Sequence, residues 1–169
     1  MKEIHTFDYR SNKKIMKPNR IAGRAVILRG KTLFLIKLEV TNEYKFPGGG
    51  LETNESFEDA VIRETLEESG ANISKISKCL GYIDQIYPDM YEAGKIFYLR
   101  NIYYLCEISD DIGKQRLSKA ELKLEFHPEW VNVDKAIEVN ENKLILGSDY
   151  HWTERELFMF KYIKENLIK

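Results

Sequence analysis

Three glutamates, Glu64, Glu67 and Glu68, stand at positions i, i+3 and i+4 of a segment bracketed by Ser56 and Gly70. This spacing limits the possible folds more than any other feature of the chain. Ser56-Phe57-Glu58-Asp59 has the form of a helix capping box, and Gly70 suits the residue that follows a helix. A helix is therefore predicted between them. At 100° per residue the three carboxylates share an arc of about 100° on one face. Val61, Ile62, Thr65, Leu66 and Ser69 fall on the other side, which predicts packing of that side against a sheet. Carboxylates this close cannot all ionise comfortably alone. One takes a proton, or a divalent cation shares them.

Hard oxygen ligands select Mg²⁺, Mn²⁺ or Ca²⁺ over zinc, and His5, His127 and His151 are scattered. The alternating Asp/Asn loop of an EF-hand is missing. Gly48-Gly49-Gly50 lies just upstream, where bare backbone can approach an ion and its ligand. From Gly49 to Ala71 seven acids accompany one base, Arg63, in a chain whose net charge is only −1. So acidic a block calls for a cationic occupant. The parts describe a site for a metal-complexed polyphosphate.

Elsewhere, Ile21–Arg29 and Thr32–Leu38 read as a hairpin about Arg29-Gly30-Lys31. Cys79–Tyr87 and Ile96–Ile108 read as strands joined by the turn-rich segment Pro88–Gly94. Ser109–Lys123 reads as a loop, Trp130–Val133 as a short strand and Asp134–Val139 as a helical turn. Thr153-Glu154-Arg155-Glu156 resembles a second capping box. It opens a C-terminal helix with Leu157, Phe160, Ile163 and Leu167 on one stripe. Mixed elements in this order predict an α/β or α+β layered domain. No linker interrupts the 169 residues, so one domain over 1–169 is expected. Residues 1–20, with six bases and two acids, form an N-terminal arm or extra strands.

The near-neutral charge argues against a dedicated nucleic-acid binder. No run approaches the roughly 18 apolar residues of a membrane span, and the N-terminus lacks an apolar signal region. Cys79 and Cys106 do not make a disulfide framework and are read as half-buried reduced thiols. A cytoplasmic protein is expected, monomer or homodimer.

Gly49, five residues, Glu55, seven residues, Arg63-Glu64, two residues, Glu67-Glu68, one residue and Gly70 together resemble the Nudix box, here Gly49–Ala71. Thr65 stands where the box usually carries an aliphatic residue. Phe46-Pro47-Gly48-Gly49 entering the box and Glu129-Trp130-Val131 after it extend the likeness over about Ile21 to Val139. The resemblance implies an α/β/α sandwich around a mixed sheet. It also implies hydrolysis of a nucleoside diphosphate linked to another group. By the same resemblance, Glu64, Glu67 and Glu68 bind Mg²⁺, with Mn²⁺ a possible substitute, helped by the carbonyl of Gly48. Glu64 would orient or deprotonate the attacking water. Arg63 would hold a glutamate, and Glu55 would balance Arg63. Some members carry the base on a loop outside the box; Glu121, Glu125 and Glu129 are the candidates here, with Glu125 preferred.

For the substrate, Tyr82, Tyr87, Tyr91, Phe97, Tyr98, Tyr103 and Tyr104 crowd the two central strands. Strand alternation sends about half of them to the core and leaves others to stack on a base. Arg100 is either a phosphate or ribose contact or a charge on the sheet surface. Pro88 and Tyr87 fall where different subclasses carry their markers, and the coenzyme A marker is absent. A nucleoside triphosphate or oxidised nucleotide is the leading expectation. ADP-ribose, nucleotide sugars and dinucleoside polyphosphates are alternatives. A non-catalytic nucleotide sensor is the alternative of another class, although such proteins usually lose box glutamates. A hydrolase of RNA ends has only the basic first twenty residues in its support.

Overall fold

Arg20–Arg29 (β2) alternates strictly, and the alternation builds two cores at once. Ala25 and Ile27 enter one buried cluster with Val61, Phe34, Ile102 and Tyr104. Val26 enters the other, with Leu33, Leu35, Ile83, Tyr103, Met159 and Phe160. A strand apolar on both faces must lie inside a sheet covered on both sides. The computed structural model, which describes residues 1–11, 16–89, 92, 94–147 and 151–168, has that arrangement. Tyr91, one of the aromatic candidates, lies outside the described residues.

Around β2 run β1 (Glu3–Asp8), β3 (Thr32–Leu38), β4 (Glu43–Lys45), β5 (Ala71–Pro88), β6 (Ile96–Ile112) and β7 (Phe126–Asn132). The helices are α1 (Phe57–Ser69), α2 (Lys119–Lys123), α3 (Val133–Leu146) and α4 (Trp152–Asn166). The sheet has seven strands in the order β1-β5-β6-β2-β3-β4, with β7 paired to β3. β1 on β5 and β2 on β6 are parallel; the other pairs are antiparallel. Helix α1 covers one face through Val61. Helices α3 and α4 cover the other through Val133, Ala136, Phe160 and Ile163. The expected α/β/α sandwich about a mixed sheet is present.

The predicted β2–β3 hairpin forms, but only at its turn. The two strands pair at Leu28–Leu33 and Arg29–Thr32 and then part. From Ile27 back to Arg20, β2 pairs with β6 instead. Its other edge is taken by the glycine segment: Ala25 N–H donates to the Pro47 carbonyl (2.9 Å), Gly23 N–H to that of Gly49 (3.0 Å), and Leu51 N–H to that of Ile21 (3.1 Å). The glycine segment is thus held along that edge of β2 by backbone hydrogen bonds, with an isolated bridge between Ala22 and Gly50.

Helix α1 begins and ends where the sequence predicts. Ser56 Oγ accepts from Asp59 N–H at 3.1 Å, and Gly70 takes a left-handed φ of 74°. The face assignment differs at two residues. Ile62 is 39 % exposed, whereas Glu68 is 3 % exposed. The helix lies so close to the sheet that the boundary of its buried arc falls on an acidic residue. Gly23 permits that approach, since a Cβ there would overlap Val61 Cγ2.

Other elements are longer than expected. β5 starts directly after Gly70, through the polar stretch Asn72–Lys78. That stretch pairs with β6 through its backbone, its polar side chains face solvent, and Ile73 and Ile76 pack against the core on the α1 side. The Ser109–Lys123 region is not all loop: β6 runs to Ile112, and Ser118 with Glu121 forms a full capping box that starts α2. Val133 opens a 14-residue helix where one turn was expected. Thr153 is no cap; it lies inside α4, fully buried, and donates to Glu43 Oε2 at 2.5 Å. Both cysteines are free and sit in strands, but neither is half-buried: Cys79 is exposed and Cys106 buried. Among the described residues no helix is long and apolar enough to cross a membrane.

Gly23→Val should force α1 off β2, with an expected loss of about 1–3 kcal/mol from overpacking. Chemical denaturation followed by circular dichroism checks this; an unchanged midpoint would show that the close contact does not matter.

Candidate active site

Arg63 organises the acidic face of α1. Its Nε and Nη2 donate to both oxygens of Glu55 at 2.8 and 2.9 Å. Nη2 also donates to the Gly50 carbonyl at 3.0 Å, and Nη1 to Glu64 Oε1 at 2.8 Å and Glu67 Oε2 at 3.4 Å. One guanidinium therefore ties the helix to the glycine segment and spaces two of the three carboxylates. The fork geometry of arginine suits this; a point charge could not reach all four partners. The Arg63 hydrogen bonds hold the Glu55 carboxyl below its ordinary range, and the same bonds keep Arg63 firmly protonated.

The glycine segment is shaped by close approach. Gly48 has φ 136°, and a Cβ there would overlap the Gly23 carbonyl. Its own carbonyl accepts from Arg24 Nη1, and its N–H donates to Glu68 Oε2 at 2.9 Å. A Cβ on Gly49 would fall on the Glu64 carboxylate. Glu68 Oε1 accepts from Lys45 Nζ. Burial pushes the Glu68 carboxyl up, against the pull of Lys45.

A cleft of about 700 Å³ opens over these groups. Glu64, Glu68, Gly48 and Gly49 line it, and so do Tyr87 and Phe97. Those two rings lie 5.2 Å apart, and His151 lies 4.2 Å from Tyr87. Arg20, Arg24, Lys45 and Arg155 bring four basic side chains to the same space. Glu55, Arg63 and Glu67 do not line it. Of the three loop glutamates, Glu121 lines the cleft, with Oε2 accepting from Ser118 N–H at 2.7 Å. Glu125 is exposed and outside it, and Glu129 Oε1 accepts from the Tyr44 hydroxyl at 2.7 Å. Among the aromatic candidates, Tyr103 and Tyr104 are core. Tyr98 donates to Asp84 Oδ2 at 2.6 Å, and Tyr82 lies under the Arg100 guanidinium. Arg100 itself forks onto Asp84 at 2.8 and 2.7 Å, so it is a sheet charge.

The sequence model of the NUDIX domain matches residues 18–153. The chain belongs to the Nudix family. The fold agrees with a solved NUDIX hydrolase from Nitrosomonas europaea at TM-score 0.61 and 15 % identity, covering 86 % of this chain and 89 % of that one. It also agrees with a MutT NUDIX hydrolase from Burkholderia pseudomallei at TM-score 0.52 and 23 % identity, covering 70 % and 86 %. Comparison with curated protein sequences gives no match. Membership of the family supports a hydrolase.

In this Nudix protein some site residues had no herald in the sequence reading. Arg24 shares a strand face with Ala22 and Val26, so strand periodicity alone could have marked it as an inward charge. Arg155 and Glu156, read as part of a cap, are instead 2 % and 0 % exposed. Glu156 accepts from Arg155 Nε at 3.1 Å and, through Oε2, from Phe46 N–H at 3.1 Å. Arg155 Nη1 donates to Gln85 Oε1 at 2.7 Å. This buried pair anchors the backbone that enters the glycine segment.

The donor chemistry of the Nudix helix fits a hard divalent ion: three carboxylates on one face, with a glycine where any side chain would collide with Glu64. Among the described residues no three such groups converge tightly enough to grip an ion as placed. Basic side chains neutralise them instead, Arg63 on Glu64 and Glu67, and Lys45 on Glu68.

The depressed Glu55 carboxyl gives a pH prediction. As pH falls, the unfolded chain takes up this proton first, near the ordinary value of 4.5. Stability present above that range is therefore lost as pH drops through the folded value. Glu55→Gln should show a shallower loss of stability than the parent between about pH 6 and pH 3, read from denaturation midpoints. Equal slopes would show that the Arg63 contact adds nothing.

Proposed function

We propose that this chain is a Mg²⁺-dependent pyrophosphohydrolase. It cuts the pyrophosphate link of a nucleoside diphosphate joined to another group, with nucleoside triphosphates or oxidised nucleotides as first substrates. One observation carries the reading: Glu64 and Glu68 of α1 share a cleft with a Tyr87–Phe97 aromatic wall and a set of basic side chains. Such a cleft suits a ligand that is anionic at one end and flat at the other.

Glu64, Glu67 and Glu68 would hold Mg²⁺, or Mn²⁺ in its place, helped by the Gly48 carbonyl, which has a lone pair beyond the one Arg24 uses. The bound ion supplies neutralisation of phosphate oxygens and a lowered pKa for its water. The chain's own residues then mostly position. Glu64, at the cleft wall, accepts the proton of the attacking water. Arg63 fixes the Glu64 rotamer, and Glu55 fixes Arg63. Arg20, exposed at the rim, meets the outer phosphate charge, and the aromatic wall holds the base. A non-catalytic sensor is disfavoured because every box carboxylate is retained.

Glu64→Gln and Glu68→Gln should each cut turnover by about 10²–10⁴-fold. Excess EDTA should abolish hydrolysis, and added Mg²⁺ or Mn²⁺ should restore it; a steady rate in EDTA would sink the metal mechanism. A product-release screen over nucleoside triphosphates, oxidised nucleotides, ADP-ribose, nucleotide sugars and dinucleoside polyphosphates identifies the substrate. No turnover on any of them would favour the sensor. Tyr87→Ala should raise KM for the best substrate by about tenfold, as expected for one lost stacking contact.

A further inference from the structure

Lys45 closes β4, paired across to Ile36, one residue before Phe46 carries the chain toward the glycine segment. Its ammonium is fixed from two sides. Nζ donates to Glu68 Oε1 and lies 4.7 Å from the ring centroid of Phe126, which favours a cation over its face. The side chains of the pair are 11 % and 4 % exposed. The second Glu68 oxygen is taken by Gly48 N–H. Both Glu68 oxygens therefore already accept from this chain's own donors. Glu67 is held more loosely: it is 35 % exposed and meets Arg63 at 3.4 Å.

We propose that Lys45 is the resident counter-ion of Glu68, competing with a divalent cation for that carboxylate and so setting the affinity of the site for metal. The proposal rests on the metal reading given above. A carboxylate this buried stays ionised only with a positive partner, since an unpaired buried charge is strongly unfavourable. Lys45 supplies one. A divalent ion supplies another, and two cations within reach of one carboxylate repel each other strongly where water is scarce. Glu68 can accept the ion only as Lys45 lets go. Because Lys45 also lines the cleft, its ammonium has open space to turn into. Lys45 thus stabilises the metal-free protein and weakens metal binding through one and the same contact.

Calorimetric titration of Mg²⁺ and of Mn²⁺ into full-length, chelator-treated protein tests this without reference to turnover. Lys45→Gln should bind at least about fivefold more tightly than the parent, while Lys45→Arg, which keeps the charge, should bind like the parent. In the absence of metal Lys45→Gln should melt lower than the parent, and Mg²⁺ should raise its Tm by more. Phe126→Leu, which keeps an apolar core residue but removes the ring under the ammonium, should also tighten binding, by a smaller factor. It serves if Lys45→Gln does not fold. Unchanged or weaker affinity in Lys45→Gln, or in Phe126→Leu where that is the folded variant, overturns the proposal and leaves the metal reading standing. Failure of the parent and all variants to bind either ion overturns both.

Discussion

Massing three glutamates on one face of α1 creates a repulsion that the surrounding chain must offset, and each offset is also a joint between elements. Arg63 answers Glu64 and Glu67 and in doing so reaches Glu55 and the Gly50 carbonyl. Lys45 answers Glu68 and so fastens β4 to the helix. Gly48 N–H completes the set. Charge compensation and loop placement are the same contacts here. A change to any one member therefore disturbs both the electrostatics of the site and the path of the backbone that forms it.

A second layer of buried charge supports the first. Arg24 spans from the Gly48 carbonyl to Asn101 Oδ1, and burial pulls its guanidinium down from its ordinary range. Arg155 and Glu156 pair beneath the same segment, with Phe46 N–H as their link to it. Buried ion pairs of this kind add little net stability compared with well-packed apolar groups. Their value in this molecule is directional: each ends on a specific backbone atom of residues 46–48, so the glycine segment has one conformation to adopt.

Much of the fold was legible because local rules and tertiary packing agree. Ser56 and Gly70 mark α1 by their own chemistry, and the apolar stripe of Leu157, Phe160 and Ile163 points α4 at the sheet. Elements that exist by pairing escaped. The largely polar Asn72–Lys78 stretch offers only Ile73 and Ile76 to the core, spaced by three rather than two because the register with β6 shifts there, so no strand period was visible. The box residues were readable by spacing, whereas their neutralisers were not. Lys45, Arg24, Arg155 and Glu156 lie 23 or more positions from some of the groups they touch, at separations no local period encodes. Glu121 shows the same limit from the other side. Its place at the cleft depends on a short helix whose capping box, Ser118 to Glu121, went unread in a polar stretch.

The brief contact between β2 and β3 has a structural consequence. Two rungs beside Gly30 fasten the strands; beyond them they part, and Arg20, Ala22, Arg24 and Leu38 all line the cleft. The edge of β2 that the hairpin gives up is the edge that seats residues 47–51, so ending the β2–β3 ladder early is what makes room for the glycine segment.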